Sequence, residues 1–124
     1  MKNKKILCFD LDNVICKTKK NNYLKSTPNK KIINLINSLY KTNNYIIKIY
    51  TARGMGIYKG NLKLAKQKLQ KLTLNQLKKW KLNYNELRMG KISYDVFVDD
   101  KCFGFKENWY IDFKKKYLNK NEKS

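Results

Sequence analysis

Nine acidic residues stand against 29 basic ones in a chain of 124 residues, and four of the nine gather in two tight groups. Asp10 and Asp12 follow one short apolar run; Asp99 and Asp100 follow another. Carboxylates crowded into one crevice repel each other and raise each other's pKa. A divalent cation removes that cost, and oxygen-only ligation favours a hard ion such as Mg²⁺. Thr51, after a third apolar run, and Lys91 add a hydroxyl and a lone cation that suit an anionic substrate. The chain has no histidine, which excludes histidine-based triads, proton shuttles and His-ligated zinc. Acid–base chemistry must then rest on carboxylates, Lys, Tyr or Cys. The three cysteines, Cys8, Cys16 and Cys102, are odd in number and lack metal-ligand spacing; they fit a reducing cytoplasm.

The elements that must position these groups can be read along the chain. Residues 5–9 are a short apolar run, predicted as a buried strand in which Cys8 packs as a small apolar side chain. Residues 11–26 are polar and irregular, a loop or small flap. Thr27 and Pro28 predict a helix start, followed by Ile32, Ile33, Leu35, Ile36, Leu39 and Tyr40 at helical spacing, with Asn43 and Asn44 as the stop. Residues 45–50 are β-branched and aromatic, a second strand. A loop with Gly54, Gly56 and Gly60 follows, then a helix carrying Leu62, Ala65, Leu69 and Leu72. Thr73 with Gln76 predicts a capping box that opens a separate short helix. Residues 86–88 are a short strand, 94–98 a buried strand, and 105–118 a last helix. Trp80 and Trp109 are expected to pack helices on the sheet. Strands alternating with helices imply an α/β domain over residues 1–118 with a parallel sheet and helices on both faces, and the Lys/Asn-rich residues 119–124 are expected to fray. In such sheets the site lies beyond the carboxyl ends of the strands, so Asp10, Asp12, Thr51, Asp99 and Asp100 are predicted to converge on one edge.

Four motifs in order give a resemblance. Phe9-Asp10-Leu11-Asp12-Asn13-Val14 resembles the first motif of the haloacid dehalogenase (HAD) superfamily, Asp-x-Asp-x-Thr/Val. Ile49-Tyr50-Thr51-Ala52-Arg53-Gly54 resembles the second, Lys91 the third, and Val98-Asp99-Asp100 the fourth. The run from Thr51 to Asn61, with Met89-Gly90-Lys91 and Asp99-Asp100-Lys101, is similar to the compact HAD phosphatases of capsular polysaccharide biosynthesis. Asn13 stands where the superfamily usually has Gly, and Asn is the next most tolerated residue if that backbone is left-handed. The segments 15–26 and 54–90 are too short for the large caps of many relatives. The resemblance thus implies a single Rossmann-like, HAD-like domain without a large cap.

It also implies a chemistry. Asp10 is the expected nucleophile, forming an aspartyl-phosphate, and Asp12 the expected general acid and then base. Thr51 and the Ala52 N–H are expected to bind a phosphoryl oxygen, with Lys91 neutralising phosphate charge. Arg53 and the glycines at 54, 56 and 60 form the expected substrate loop. Mg²⁺ is expected on the Asp10 carboxylate, the Asp12 carbonyl and Asp100, with Asp99 acting through water. The expected substrate is a small phosphorylated metabolite such as a sugar phosphate. A site without a cap must close by oligomerising or with its substrate loop.

Composition bounds the alternatives. An apolar fraction of 42% with 13% aromatics excludes a wholly disordered chain. No apolar run approaches the ~18 residues of a membrane span, and residues 5–9 run straight into Asp10, unlike a secretion signal. A net charge of +20 suits a polyanion. The lysines are spread from end to end, however, as compositional drift would leave them. A phosphatase acting on nucleic-acid ends is therefore one alternative, and a basic nucleic-acid-binding module without catalysis is another.

Overall fold

The computed structural model describes residues 3–119, which divide into two compact units at Ser93 and Tyr94. The tail at 120–124 lies outside the described residues. The first unit runs β1 (Lys5–Asp10), β2 (Cys16–Lys17), a 3₁₀ turn (Tyr23–Lys25), β3 (Thr27–Pro28), α1 (Lys30–Lys41), β4 (Tyr45–Thr51), α2 (Leu62–Lys79) and β5 (Glu86–Met89). The second carries α3 (Trp109–Tyr117).

The first unit is built on a parallel sheet of order β1-β4-β5. Leu7, Phe9, Ile47, Ile49, Thr51 and Met89 share one sheet face by register, and all are buried. Right-handed crossovers from β1 to β4 and from β4 to β5 step across the sheet in one direction, which places α1 and α2 on that same face. Helix α1 buries Ile32, Ile33, Leu35, Ile36 and Leu39, the stripe its apolar spacing predicts. The α/β class and the parallel sheet stand as expected, with no large cap among the described residues.

Several local expectations are corrected. Cys8 lies in β1 but is exposed, because the period of two turns it away from Leu7 and Phe9. Helix α1 starts later than Thr27-Pro28. Asn29 is its N-cap, and its side chain accepts from the Ile32 N–H at 3.3 Å. Thr27 and Pro28 instead pair antiparallel with Lys17 and Cys16. Thr73 opens no new helix: α2 runs unbroken, and the Thr73 hydroxyl donates to the Leu69 carbonyl at 2.8 Å. Its neighbours are already helical, so the hydroxyl bonds back along the helix rather than capping one.

The second unit departs most. Residues 94–98 form no strand, and Val96 and Val98 are 79% and 91% exposed. β-branched and aromatic residues favour a strand only where a ladder and a packing face receive them. Helix α3 also starts four residues later than expected, at Trp109. Trp109 and Phe113 are buried, with ring centroids 5.4 Å apart and nearly perpendicular. Phe103 meets Phe113 edge to face at 5.2 Å, so aromatic contacts organise this unit. Trp80, by contrast, is the C-cap of α2 and only half-buried.

The loop after β4 is held against α2 at Gly54. Its φ is +83°, and a Cβ there would lie 2.9 Å from Ala65 Cβ and 3.0 Å from Leu69 Cδ1. Gly60 shares the left-handed backbone, at φ +81°, but faces open space. Gly54→Ala should therefore lower unfolding free energy by about 2 kcal/mol or more, strain and overpacking adding. Gly60→Ala, with strain alone, should cost about half as much. Urea unfolding of both variants checks the order.

Candidate active site

The parallel register sets the carboxyl ends of β1, β4 and β5 side by side, with Asp10 opposite Tyr50 and Thr51 opposite Met89. Asp10 ends β1. Its Oδ1 accepts the Leu11 N–H at 2.8 Å, and its Oδ2 lies 3.4 Å from Lys91 Nζ. The Asp10 side chain keeps 37% of its surface exposed. Burial pushes its carboxyl above the ordinary aspartate range, against the opposing pull of the Lys91 charge and the Leu11 N–H. Lys91 is positioned by its backbone, whose N–H donates to the Thr51 carbonyl at 3.1 Å.

The chain then turns sharply. Asn13 has φ +66°, the left-handed conformation that its place in the motif requires. Its side-chain oxygen accepts the Thr18 N–H at 3.3 Å, closing the turn. Glycine is thus replaceable here by the residue whose short amide bonds locally.

Asp12 has a different environment from Asp10. Arg53 Nε lies 3.2 and 3.0 Å from its two oxygens, and Arg53 Nη2 lies 2.9 Å from Oδ1. Thr18 Oγ1 donates to the same Oδ1 at 2.6 Å. Arg53 is 1% exposed, and its Nη1 donates to Gln76 Oε1 at 2.6 Å and Thr73 Oγ1 at 3.2 Å, both on α2. Its Nη2 also reaches Ser26 Oγ at 3.3 Å, and the Tyr23 ring lies 5.0 Å from its guanidinium carbon. Gln76 Nε2 in turn donates to the Tyr23 carbonyl at 2.7 Å. The expected substrate-loop arginine is therefore an internal hub joining β1, the flap, the β4 loop and α2. Met55 in the same loop is buried too.

Thr51 is fully buried, and its Oγ1 accepts the Arg53 backbone N–H at 3.1 Å. Asp10, Asp12, Thr51, Ala52, Arg53, Gly54 and Lys91 all belong to the first unit, and Asp99 and Asp100 to the second. There Asp99 Oδ1 accepts the Lys101 N–H at 3.2 Å. A hydrogen bond from Asp100, then that backbone N–H, holds Asp99 below its ordinary pKa. Among the described residues no cluster of three or more Cys, Asp or Glu side chains forms a ready metal site. The donor chemistry at Asp10, a partly exposed carboxylate, nonetheless suits a hard cation.

Sequence reasoning missed Thr18, Ser26, Thr73 and Gln76 as partners of the site. One signal did exist. Only Arg53 and Arg88 depart from lysine among 29 basic residues. A planar fork is needed where one cation must serve several acceptors.

No family model matches the chain, and no curated protein matches it. Solved structures do. The crystal structure of an MCSG target from Vibrio cholerae is 24% identical with a TM-score of 0.72, over 90% of this chain and 98% of that one. D,D-heptose 1,7-bisphosphate phosphatase from B. bronchiseptica, complexed with magnesium and phosphate, is 15% identical with a TM-score of 0.50 over 91% of this chain and 63% of that one. The α/β fold is shared with these structures. A chain of the Pnkp1/Rnl/Hen1 complex is 16% identical with a TM-score of 0.52 over 78% of this chain, which spans 30% of that one. Among the described residues no helix is long and apolar enough to cross a membrane.

The two carboxylates should differ in stability effects. Asp12→Ala leaves the buried guanidinium without its counter-charge and should cost about 3 kcal/mol or more. Asp10 behaves oppositely. A carboxyl whose folded pKa is raised favours folding at acid pH, and that contribution is lost as pH climbs through the raised value. Asp10→Asn should therefore raise Tm at neutral pH in metal-free buffer, with the gain shrinking on acidification. Thermal melts from pH 3 to pH 8 check both.

Proposed function

We propose that the chain is a Mg²⁺-dependent phosphomonoesterase of the HAD type. The observation that carries this reading is the half-exposed Asp10 carboxylate beside Lys91 at the strand edge, with a second carboxylate two residues on. An Asp10 oxygen attacks phosphorus, and the bond from phosphorus to the leaving oxygen breaks. Asp12, the carboxylate paired with Arg53, takes up a proton from solvent as substrate binds, gives it to that oxygen, then takes one from the water that attacks the aspartyl-phosphate and returns it to solvent. Inorganic phosphate leaves and both carboxyls return to their starting states. The Ala52 N–H and Lys91 bind the phosphoryl oxygens, and Lys91 stabilises the charge that develops there. Asp10 and the Asp12 carbonyl would hold Mg²⁺. Bound there, the ion would screen the anionic nucleophile from the anionic substrate.

The substrate in this reading is a sugar phosphate or similar small metabolite, as the likeness to the capsular polysaccharide phosphatases implies. A second reading, hydrolysis at nucleic-acid ends, draws on the net charge of +20. Phosphate release across sugar phosphates, nucleotides and 3′-phosphorylated oligonucleotides, with Mg²⁺ and with EDTA, separates the two. Turnover should need Mg²⁺ and fall on the order of 10³-fold or more in Asp10→Asn. Turnover retained in that variant would remove Asp10 as nucleophile.

A further inference from the structure

The loop position of Arg53 suggests a substrate contact, but its hydrogen bonds assign it another task. A guanidinium has five N–H groups, and here each meets a protein acceptor. Nε serves Asp12; Nη1 serves Thr73 and Gln76; Nη2 serves Asp12 and Ser26. With its side chain fully buried, Arg53 has no N–H to offer a phosphoryl group.

The partners form a closed ring. Each hydroxyl donates one proton. Thr18 Oγ1 gives its proton to Asp12 Oδ1, so in the 2.6 Å contact between Thr18 and Ser26 the Ser26 hydroxyl donates. Ser26 accepts from Arg53 Nη2, which reaches Asp12 Oδ1 as well. Such rings polarise and stiffen their members. The ring also treats the two carboxyl oxygens unequally. Oδ1 takes Thr18, Arg53 Nη2, Arg53 Nε and, at 3.6 Å, Cys16 Sγ; Oδ2 takes Arg53 Nε alone.

We propose that Arg53 is a positioning residue that acts through Asp12. Its Nη2 and Thr18 fix Oδ1 while its Nε bridges both oxygens, and this presents Oδ2 as the oxygen that exchanges the proton. This rests on the phosphatase reading above. The proton leaves Oδ2 for the departing oxygen and returns to Oδ2 from the attacking water, while Arg53 keeps its own protons throughout. Helix α2, through Thr73 and Gln76, thereby fixes the aim of a group on the β1 loop.

The test compares Arg53→Lys and Thr18→Val with the wild type in Mg²⁺, by kcat/KM. It uses two substrates, the best alkyl phosphate and 2,4-dinitrophenyl phosphate, whose leaving group needs no proton. Loss of a positioned proton donor should lower alkyl-phosphate turnover on the order of 10²-fold, and the dinitrophenyl substrate at least tenfold less. Thr18→Val should show the same pattern with a smaller loss, and it carries the test if Arg53→Lys fails to fold by circular dichroism. In an Asp12→Asn background, Arg53→Lys should add almost nothing. Equal losses on both substrates and in both backgrounds would overturn the proposal in favour of a purely structural role. A raised KM with kcat unchanged would overturn it in favour of a phosphate contact.

A readout independent of turnover comes from the two arginines. One Nε–H resonance should exchange slowly in the wild type and lose that protection in Asp12→Asn. Rapid exchange of both would overturn the clamp while leaving the phosphatase reading intact. A wild type with the protected resonance but no turnover on any substrate would remove the phosphatase reading, and the positioning role with it.

Discussion

A guanidinium sealed from water is the constraint around which the first unit is arranged. Removing such a charge from solvent costs several kcal/mol unless geometry and hydrogen bonding are nearly complete. Arg53 meets that requirement with a carboxylate, two hydroxyls, an amide and an aromatic face. Those groups come from three segments distant from Arg53 in sequence. The charge therefore orders more than its own loop. Tyr23 and Ser26 hold the flap, Thr73 and Gln76 hold α2, and Asp12 holds the β1 loop. Gly54 follows at once because the chain must pass α2 closely just after delivering the arginine.

This arrangement divides two carboxylates that lie two residues apart. Asp10 meets solvent and one flexible lysine, so its carboxyl retains an accessible face. Asp12 is held on both oxygens by Arg53, and on Oδ1 by Thr18 as well. A nucleophile needs access, and a proton donor needs aim. On the proposed reading, the two environments match those two needs. The positive φ at Asn13 makes the separation possible by reversing the backbone between the strand and the flap.

The excess of lysine has little part in this core. Arg53 carries the buried cation, and Lys91 approaches Asp10 across the strand edge with its backbone tied to Thr51. Elsewhere Lys48 and Arg88 flank Glu86 on the sheet face that α1 and α2 do not cover. Such exposed pairs contribute little to stability. Charge drift across a surface is thus compatible with an exactingly paired interior.

Parallel topology and the strands β1, β4 and β5 were legible in the residues, because apolar runs are local patterns. The start of α1, the continuity of α2 and the exposure of Cys8 were not. Thr27, Thr73 and Cys8 each fit two environments, and only ladder pairing or the period of the strand chooses between them. Residues 94–98 carry strong strand propensity that forms no strand here, since propensity supplies no partner. The role of Arg53 was least legible. Its type and place were plain, but whether a guanidinium faces a ligand or the interior depends on Ser26, Thr73 and Gln76. No local rule brings those residues to it; the packing of α2 and the flap does.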